Sequence, residues 1–342
     1  MEQREFEVSG DFMGVKNWGD IIPWKWESSS EISPGTIAID VPNYISRRIS
    51  VIKPDSGQDG RIPLTHVGLF VSLVKITLSN HVLPVFVYDG PPETRKRKPN
   101  PELIQKASEL YKIFQQEGDP YNEDIATQLW KSPALRMYFA ADHLRDLGRI
   151  VGVPVLTAPT ESEMYAAVLC RDGAVNTVVS NDADALLFGS PHVTKQMQLS
   201  AGKILRATLS DFENSLQLDL EYLRDLAIVC GCDFHKEGVK GIGPRRGSVL
   251  LQKHGGLEGL LKARGFVASE RVDYIEAREV FDEASYLSVD KIEFKLNPPL
   301  IPKVLRSLET VMPAEQAEIT TQKIVNLWRS FGNRQSTLEQ WL

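Results

Sequence analysis

Short apolar runs that alternate with helical patterns constrain the fold of this chain more than any other feature of its sequence. The segments 35–40 and 85–89 are β-branched or aromatic runs that each end on an acid, and residues 64–80 between them carry apolar side chains at helical spacing. The same order of run, helical pattern and run recurs in 153–156, 161–172 and 176–180. Because parallel strands need long crossovers, this alternation predicts an α/β fold with a mainly parallel central sheet and helices on both faces.

Acidic side chains follow the predicted strands. Since function sits at the carboxyl ends of the strands in such sheets, these acids are expected to converge on one edge. Together with an acid from a later loop, the candidate centre has seven carboxylates: Asp40, Asp89, Glu161, Glu163, Asp182, Asp184 and Asp233. Singly, Glu161 and Glu163 are more simply explained by the helix dipole, and Asp182 or Asp184 by capping of a turn. Independent capping does not predict acids after several strands, so their joint occurrence favours a functional site.

Seven carboxylates in one place point to hard divalent cations. Mg²⁺ prefers oxygen ligands, and two ions about 4 Å apart can activate a water, neutralise a phosphodiester and stabilise the leaving oxygen. Crowded carboxylates have raised pKa values unless cations are bound, so metal should also stabilise the fold. Histidine-based or serine-based hydrolysis finds no comparable support, because the six histidines are scattered and no G-x-S-x-G motif occurs. The residues therefore predict a metal-dependent nuclease.

Net charge and cysteine usage limit the partners and the location. The formal net charge of −6 argues against a nucleic-acid binder that works by bulk positive charge, unless the basic residues are concentrated away from the acidic site. Cys170, Cys230 and Cys232 lack a paired C-x-x-C framework, so we expect reduced, partly buried thiols. No apolar run approaches the roughly 20 residues of a membrane helix, and no signal-peptide pattern is present, so a cytosolic protein is expected.

Several ordered motifs resemble those of flap endonucleases, the archaeal enzymes above all; they lie at 13–15, 39–40, 88–92, 158–163, 180–189 and 231–234. The resemblance spans nearly the whole chain. It implies a PIN-like, structure-specific 5′ nuclease that removes 5′ flaps and acts as a 5′-3′ exonuclease on DNA during Okazaki-fragment maturation and repair.

The resemblance also implies a division of the chain. Residues 1–12 would be an N-terminal extension, 13–330 a single nuclease domain, and 331–342 a tail that binds a sliding clamp. Within the nuclease domain, a helical arch is expected at about 91–144 and a helix–two-turn–helix element at about 222–262. A helical C-terminal region would follow.

By the same resemblance, one Mg²⁺ ion would be held by Asp40, Asp89, Glu161 and Glu163, and a second by Asp182, Asp184 and Asp233. Mn²⁺ is expected to substitute for Mg²⁺, and ligands can be shared between the ions, directly or through water. The family also places a monovalent ion, K⁺, at the helix–two-turn–helix element.

Glycines and cations follow Asp233 in the sequence. The residues expected to contact a DNA phosphate here are Lys240, Gly241, Gly243, Arg245 and Arg246. The glycines would let backbone N–H groups approach the phosphate closely, and the cations would supply local positive charge. A flexible helix linker would explain the glycines, but it would not explain the adjacent cations.

A basic run follows the loop of Asp89: Arg95, Lys96, Arg97 and Lys98. A solvated charge run is the plainest alternative. By the resemblance, the run begins the arch over the 5′ single strand, and Arg95 helps to neutralise charge at the scissile phosphate. The chain departs from the family where a second cation is expected, because Glu102 stands there. Lys98 or Lys106 is expected to substitute.

Two further departures concern the first acid and the N-terminus. Six places after the first acid, where relatives stack a base on an aromatic ring, stands Ser46, and the nearest aromatic residue is Tyr44. In relatives the chain starts at the glycine that corresponds to Gly14, with its amino group near the active site. We expect either that translation begins at Met13, which we favour, or that the extension folds aside.

The last eight residues resemble a peptide that binds a sliding clamp. One helical turn would place Leu338, Trp341 and Leu342 together as an apolar plug, with Gln335 in a polar socket. A frayed terminus is the ordinary alternative at a chain end, but the spacing and the tryptophan favour the peptide.

The expected partners are branched DNA with a 5′ flap and the sliding clamp, PCNA. A monomer in the archaeal cytoplasm, associated with the nucleoid and not with a membrane, is expected. Two rival functions remain open. One is a related RNA-cleaving nuclease on the same type of sheet, and the other is a catalytically impaired, clamp-bound protein that binds DNA junctions, which Glu102 and Ser46 would fit.

Overall fold

The computed structural model describes residues 15, 18–19, 21–50, 60–91, 100–181, 183–289 and 292–339, with the backbone alone for 47–50 and 332–339. Within these ranges seven strands form one sheet: β1 (Lys25–Ser28), β2 (Gly35–Asp40), β3 (Val82–Tyr88), β4 (Val155–Thr157), β5 (Thr177–Val179), β6 (His192–Gln198) and β7 (Lys203–Thr208). Their order across the sheet is β1-β7-β6-β5-β2-β3-β4. The strands β6, β5, β2, β3 and β4 run parallel, whereas β7 pairs antiparallel with β1 and β6. The predicted, mainly parallel sheet is confirmed.

The described residues form these α-helices: α1 (Val41–Ser50), α2 (Thr65–Ser79), α3 (Pro101–Glu117), α4 (Glu123–Lys131), α5 (Pro133–Val151), α6 (Ser162–Arg171), α7 (Asp184–Leu187), α8 (Leu209–Leu216), α9 (Leu220–Cys230), α10 (Pro244–His254), α11 (Leu257–Ala263), α12 (Val272–Tyr286), α13 (Ile301–Glu309) and α14 (Ala314–Glu339). Every residue of β3 is buried, although successive side chains of a strand point to opposite faces. Helices therefore cover both faces at the centre of the sheet. α6 packs against β2 and β5, and α2 and α5 pack against β3.

The parallel strands end level with one another at the edge that carries the candidate acids. Asp40, the last residue of β2, pairs with Val87 in β3, and Tyr88 pairs with Thr157 in β4. Residues that directly follow these strands must therefore lie side by side at one edge of the sheet.

The bounds of two strands differ from those that the sequence predicts. β3 begins at residue 82 instead of 85, and β4 begins at residue 155 instead of 153. Pro154 explains the later start of β4, because proline has no N–H to donate to a neighbouring strand. Its carbonyl still accepts a hydrogen bond from the N–H of Phe86 at 2.9 Å.

Three strands of the sheet, β1, β6 and β7, were not predicted from the sequence. β6 mixes polar and apolar residues, and its pairing with β7 shifts register between Thr194 and Gln196. β1 pairs with β7 through residues as remote in sequence as Lys25 and Arg206. Such pairing depends on tertiary contacts that a local pattern does not report.

The segment predicted as an arch contains α3, α4 and much of α5. Pro133 begins α5. α3 is tied to α5 by hydrogen bonds from the hydroxyl of Ser108 to Asp142, at 2.6 Å, and from that of Tyr111 to Asp146, at 3.1 Å. How this segment meets DNA stays a prediction.

Five charged side chains, which we name the α9–α12 ion cluster, join α9 to α12: Glu221, Arg224, Asp225, Arg278 and Asp282. The side chain of Arg224 is 2% exposed and pairs with Asp282 at 3.0 Å and with Glu221 at 3.2 Å. Its Nε–H also donates to the carbonyl of Leu187 at 2.8 Å. Arg278 pairs with Glu221 and, at 3.4 Å, with Asp225. Arg224 and Arg278 thus both have acidic partners within the chain.

Cys170, Cys230 and Cys232 are free thiols, as predicted, and all three are buried. Burial raises the pKa of Cys230 to about 11, so this thiol is protonated near neutral pH. None of the helices in the described ranges has the length and apolar character that crossing a membrane requires.

Candidate active site

Asp40 and Asp89 meet across one serine hydroxyl. Asp40 ends β2 and is 3% exposed, and Asp89 directly follows β3. Oγ of Ser162 lies 2.9 Å from Oδ1 of Asp40 and 2.7 Å from Oδ1 of Asp89. The backbone N–H of Ser162 also donates to Oδ1 of Asp89 at 2.9 Å, so the start of α6 is bound to the end of β3.

This contact gives two carboxylates a single hydrogen to share. A serine hydroxyl has one hydrogen and two lone pairs, so it cannot donate fully to both Asp40 and Asp89. One carboxylate oxygen therefore faces the lone pairs of Oγ at 2.9 Å or less. Because Asp40 is buried, the close approach of a second carboxylate is unfavourable unless a cation or a proton compensates the negative charge. The geometry favours a cation at this edge.

Glu161 and Glu163 flank that serine at the start of α6. Glu161 is the N-cap residue of α6, with an extended backbone, yet its side chain makes no capping hydrogen bond. Simple capping therefore does not explain this acid, whose side chain is only 9% exposed. Glu163 lies in the first turn of α6 and accepts a hydrogen bond from the hydroxyl of Ser180 at 3.4 Å. Ser180 directly follows β5, so this contact joins two strand ends.

Asp184 and Asp233 both lie close enough to Cys232 for their charges to act on its thiol. Asp184 begins α7 and is 9% exposed, while Asp233 lies in the loop after α9. Burial raises the pKa of Cys232 to about 12, and the charges of Asp184 and Asp233 add to this effect. The thiol is therefore protonated near neutral pH. The carboxylate oxygens of Asp184 and Asp233 are the candidate donors there.

Two asparagines hold the loops of the site together, and the sequence motifs had not assigned them a role. The backbone N–H of Asn181 donates to Oδ1 of Asn43 at 2.9 Å. The side-chain amide of Asn181 donates to the same Oδ1 at 2.9 Å and to the carbonyl of Asn43 at 3.2 Å. The loop after β5 is thus bound to the first turn of α1. The only sequence signal was the presence of Asn181 within the 180–189 motif.

Tyr138 on α5 is a further residue that sequence reasoning missed. Burial raises the pKa of its hydroxyl, and the negative charge of Asp89 raises it further, which places this ring near the candidate acids. Ser46 stands where relatives are expected to have an aromatic residue. Its hydroxyl donates to the carbonyl of Asn43 at 3.0 Å. Tyr44 is partly buried against the core. Stacking of a base on Tyr44 stays a prediction.

The donor set fits a hard divalent cation in its chemistry. The candidate donors are carboxylate oxygens, which Mg²⁺ and Mn²⁺ prefer. Among the residues that the structure describes, no three histidine, cysteine, aspartate or glutamate side chains are close enough together to form a complete metal site. Asp182, which the sequence places between the two groups of acids, lies outside the described residues. The described contacts therefore bring together one pair of donors, Asp40 with Asp89.

The predicted phosphate-binding loop leads directly into α10. Gly241 has a φ of 77°, a left-handed conformation that glycine adopts without strain. No described atom lies within 4 Å of a Cβ built at Gly241 or Gly243, so both glycines border open space. Gly243 is the N-cap of α10 and offers no side-chain cap to the N–H groups of the first turn.

Three exposed cations surround the start of α10: Lys240, Arg245 and Arg246. Arg246 is held by a hydrogen bond from its Nη1 to the carbonyl of Gly241 at 3.3 Å. The first turn of α10 contains no acid. Open N–H groups beside positive side chains form the type of surface that binds a phosphate.

Glu102 stands where the resemblance expects the second cation of the arch, and it lies in the first turn of α3. The N–H of Glu102 in the first turn of α3 binds Oδ1 of Asn100 at 2.9 Å, and an acid there suits the helix dipole. Lys106 is exposed one turn later on the same helix. Which cation contacts a strand stays a prediction.

Several predicted residues lie outside the described residues: Gly14, Arg95, Lys96, Arg97, Lys98, Asp182, Trp341 and Leu342. The backbone of Gln335 and Leu338 belongs to α14, which runs to Glu339, and their side chains are not described. The predicted roles of these residues stay predictions.

Known proteins resemble this chain in sequence and in fold. A family model described as the XPG I-region matches residues 152–233. Flap endonuclease 1 of Methanococcus aeolicus is 28% identical over 297 residues, which cover 84% of this chain and 87% of that protein. The solved flap endonuclease-1 from Methanococcus jannaschii has a TM-score of 0.67 and 25% identity, covering 92% of this chain and 99% of its own. The catalytic core of Rad2 in complex with DNA substrate has a similar fold, with a TM-score of 0.63 and 19% identity, covering 91% and 100%.

Proposed function

We propose that this chain, which resembles flap endonucleases in sequence and in fold, is a structure-specific 5′ nuclease that hydrolyses a DNA phosphodiester bond where a 5′ flap meets a duplex. The proposal includes 5′-3′ exonuclease action and a role in Okazaki-fragment maturation and repair. It is supported by the likeness to archaeal flap endonucleases over most of the chain.

One observation carries the proposal at the level of chemistry. Asp40 and Asp89, from adjacent parallel strands, share the single hydroxyl hydrogen of Ser162. A cation between or beside these carboxylates relieves their repulsion, and the phosphate of a substrate brings further negative charge to the same edge. The acids therefore suit a site where cations and a phosphodiester bind together.

The ligand assignment rests on the family resemblance and on this grouping. Two Mg²⁺ ions, when bound, supply a nucleophilic water and positive charge at the scissile phosphate. The first group of proposed ligands is Asp40, Asp89, Glu161 and Glu163, and the second is Asp182, Asp184 and Asp233. Ser162 holds Asp40 and Asp89 in place, and the contact between Asn43 and Asn181 holds the loop that leads to Asp182. Mn²⁺ is proposed to substitute for Mg²⁺.

DNA would be held on both sides of these acids. The N–H groups at the start of α10, with Lys240, Arg245 and Arg246, would bind a phosphate of the duplex, and K⁺ is proposed at the same element. The basic run 95–98 and Gly14 would lie against the single strand. These contacts would fix the junction, so that one phosphodiester bond reaches the acids.

Recruitment by a sliding clamp is proposed for the tail. Gln335, Leu338, Trp341 and Leu342 would form the clamp-binding surface. Trp341→Ala is expected to remove stimulation of cleavage by the cognate clamp while basal cleavage stays unchanged, measured on one flap substrate with and without clamp. A loss of basal cleavage would instead assign the tail to the nuclease fold.

The proposed function is tested with a labelled duplex that carries a 5′ flap. With Mg²⁺, the wild-type chain is expected to release the flap, and cleavage should stop when EDTA is added. Asp89→Asn is expected to slow single-turnover cleavage by on the order of a thousandfold, because it removes charge where the cation binds. Binding of the flap DNA, measured by fluorescence anisotropy, should remain.

A matched control is Glu315→Gln, which changes an exposed acid to its amide in the first turn of α14. Its cleavage rate should equal that of the wild type. Equal cleavage by Asp89→Asn would refute the site assignment. Binding of the junction without any cleavage by the wild type would favour the rival DNA-binding protein, for which Glu102 and Ser46 are the supporting departures, and faster cleavage of an RNA flap would favour the RNA-cleaving nuclease.

A further inference from the structure

Trp26 of β1 is an exposed aromatic side chain at the edge of the sheet. β1 is the first strand in the order of the sheet and pairs with β7, and Trp26 is 49% exposed. Cross-strand partners point to the same face of a sheet, whereas successive residues of one strand alternate between the two faces. Trp26 therefore shares its face with Leu205, its partner in β7.

This face continues across β7 to β6. Leu205 also pairs with Gln196 of β6. Two residues further along the same face, Lys203 pairs with Ser28 of β1 on one side and with Gln198 of β6 on the other. We name these six residues the β1–β7–β6 platform: Trp26, Ser28, Gln196, Gln198, Lys203 and Leu205. Five of them are exposed and Leu205 is partly buried, so the described part of the chain leaves this corner of the sheet open to solvent.

The platform contains a cation and no acid. Glu27, the acid of β1, points to the opposite face, where it lies 2.7 Å from Arg206. Glu31 pairs with the same arginine at 3.2 Å. Among the described residues Lys203 forms no salt bridge, and it is exposed. In a chain of net charge −6, this corner of the sheet therefore suits an anionic partner.

The platform lies at the end of the sheet that carries the candidate acids. β6 runs parallel to β5 and β2, so Gln198 at the end of β6 lies at the same end of the sheet as Asp40 at the end of β2. Four strand spacings of about 4.8 Å separate β1 from β2, which makes about 19 Å. About six nucleotides of a stacked strand, at about 3.4 Å each, span this distance.

An unpaired DNA strand has the groups that such a surface binds. The flat face of a base stacks on an exposed aromatic ring, and its edge forms hydrogen bonds with side-chain amides such as those of Gln196 and Gln198. A phosphate of the same strand would bind the ammonium group of Lys203. In a duplex the bases are already stacked on one another, so Trp26 favours an unpaired strand.

We propose that the β1–β7–β6 platform binds an unpaired stretch of the DNA substrate, with a base stacked on Trp26 and a phosphate bound to Lys203. The choice of DNA rests on the proposed nuclease function. The stacking contact needs neither a metal ion nor cleavage, so it is tested apart from the carboxylates.

The test measures binding of a fluorescein-labelled dodecathymidylate by fluorescence anisotropy in EDTA, which prevents cleavage. Trp26→Ala should weaken binding roughly tenfold, because the stacked base loses its aromatic partner, and Trp26→Phe should retain most of the affinity. The matched control is Tyr286→Ala, which removes an aromatic ring that is 86% exposed at the end of α12 and should leave the affinity unchanged. Equal affinities of the wild type and Trp26→Ala would overturn the proposal.

A change in the ligand shows whether Trp26 contacts a base. An oligomer of the same length that carries abasic sugars should bind the wild type roughly tenfold more weakly than the dodecathymidylate, whereas Trp26→Ala should bind both oligomers equally. Lys203→Ala should weaken both oligomers to the same extent and lower the salt dependence of binding, because it removes a phosphate contact. If Trp26→Ala weakens both oligomers equally, the ring does not stack a base and the proposal fails.

A duplex of the same strand with its complement separates unpaired from paired DNA. Trp26→Ala should leave the affinity for this duplex unchanged, and an equal loss for the duplex and for the single strand would overturn the assignment to an unpaired strand. Failure of the proposed function gives a different result. A chain that shows the base preference but releases no flap would keep the platform and refute the nuclease, whereas flap release without the base preference would refute the platform alone.

Discussion

The carboxylate edge and the α9–α12 ion cluster both gather acids, but they satisfy them differently. In the ion cluster, Asp282 lies 3.0 Å from Arg224, and Asp225 lies 3.4 Å from Arg278. At the carboxylate edge, the described partners of Asp89 are the hydroxyl and the N–H of one serine. The acids of the ion cluster are thus neutralised by arginines of the chain itself.

The difference separates a structural cluster from a functional one. A buried ion pair whose partners lie on two helices fixes those helices to each other. Asp40 and Asp89 share one serine hydrogen, so a cation that binds at this edge would lessen their mutual repulsion. The two groups of acids are thus expected to respond in opposite ways to mutation and to metal.

The largest effect is expected in the α9–α12 ion cluster, where arginines of the chain neutralise the acids. Arg224→Ala should lower the free energy of unfolding by about 3–5 kcal/mol, because it empties the space of a fully buried side chain and leaves the carbonyl of Leu187 without its donor. Chemical denaturation at pH 7 measures the change. The matched control is Arg329→Ala, an exposed arginine whose loss should change stability by less than about 0.5 kcal/mol. Equal effects of the two variants would remove the structural role of the cluster.

Metal should stabilise the protein by binding at the carboxylate edge. At a Mg²⁺ concentration of about one hundred times its dissociation constant, the free energy of unfolding should rise by about 2.7 kcal/mol, because the cation binds the folded state. Denaturation curves in Mg²⁺ and in EDTA at matched ionic strength measure this gain. Asp89→Asn should lose most of it, whereas Arg224→Ala should retain it. A gain that survives in Asp89→Asn would place the cation elsewhere.

The shared serine hydroxyl is expected to have a smaller effect on catalysis. Ser162→Ala should slow Mg²⁺-dependent cleavage roughly 10–100-fold and raise the Mg²⁺ concentration for half-maximal rate, because the two acids lose the group that positions them. Single-turnover rates over a range of Mg²⁺ concentrations provide the measurement. Ser190→Ala is the matched control: it removes a buried hydroxyl that donates to His192, and its Mg²⁺ dependence should be that of the wild type.

The smallest effect is expected for Asp225, an acid of the ion cluster. Burial raises the pKa of Asp225 to about 6, above its unfolded value. The stability that its protonated form contributes is therefore present below the unfolded pKa, near about 4, and is lost as the pH rises through about 6. Asp225→Asn should flatten this pH dependence and stabilise the protein at pH 7 by about 1 kcal/mol, since the lost attraction to Arg278 offsets part of the gain.

Denaturation at pH 4 and at pH 7 checks this sign. The amide that Asp225→Asn introduces is not charged at either pH, so the stability of the variant should change less between them than that of the wild type. A variant that is less stable than the wild type at pH 7 would show that the pair with Arg278 outweighs the burial of the charge.

The strand-terminal acids were predictable because they depend on local pattern. One apolar run ends on Asp40 and another is followed by Asp89. These patterns indicate where each strand stops and that an acid stands at its carboxyl end. The start of α6 at Ser162 and the glycine loop before α10 are likewise close to their predicted positions. These features need only the nearest neighbours in sequence, so a single chain reveals them.

Contacts between remote residues were not predictable in this way. The pairing of His66 with His143 joins α2 to α5 across 77 residues, and that of Asn43 with Asn181 joins α1 to the loop after β5 across 138 residues. The strands β1, β6 and β7 owe their place to a register set by partners far along the chain. No local periodicity reports such pairs.

The sequence by itself determined that this chain has a mainly parallel α/β sheet with acids at the strand ends, because backbone pairing and hydrophobic periodicity act over a few residues. Only the tertiary structure decided that Asp40 and Asp89 share one hydrogen while Asp282 and Asp225 have arginines. The physical reason is that burial and counter-charge depend on which distant side chains the fold brings together.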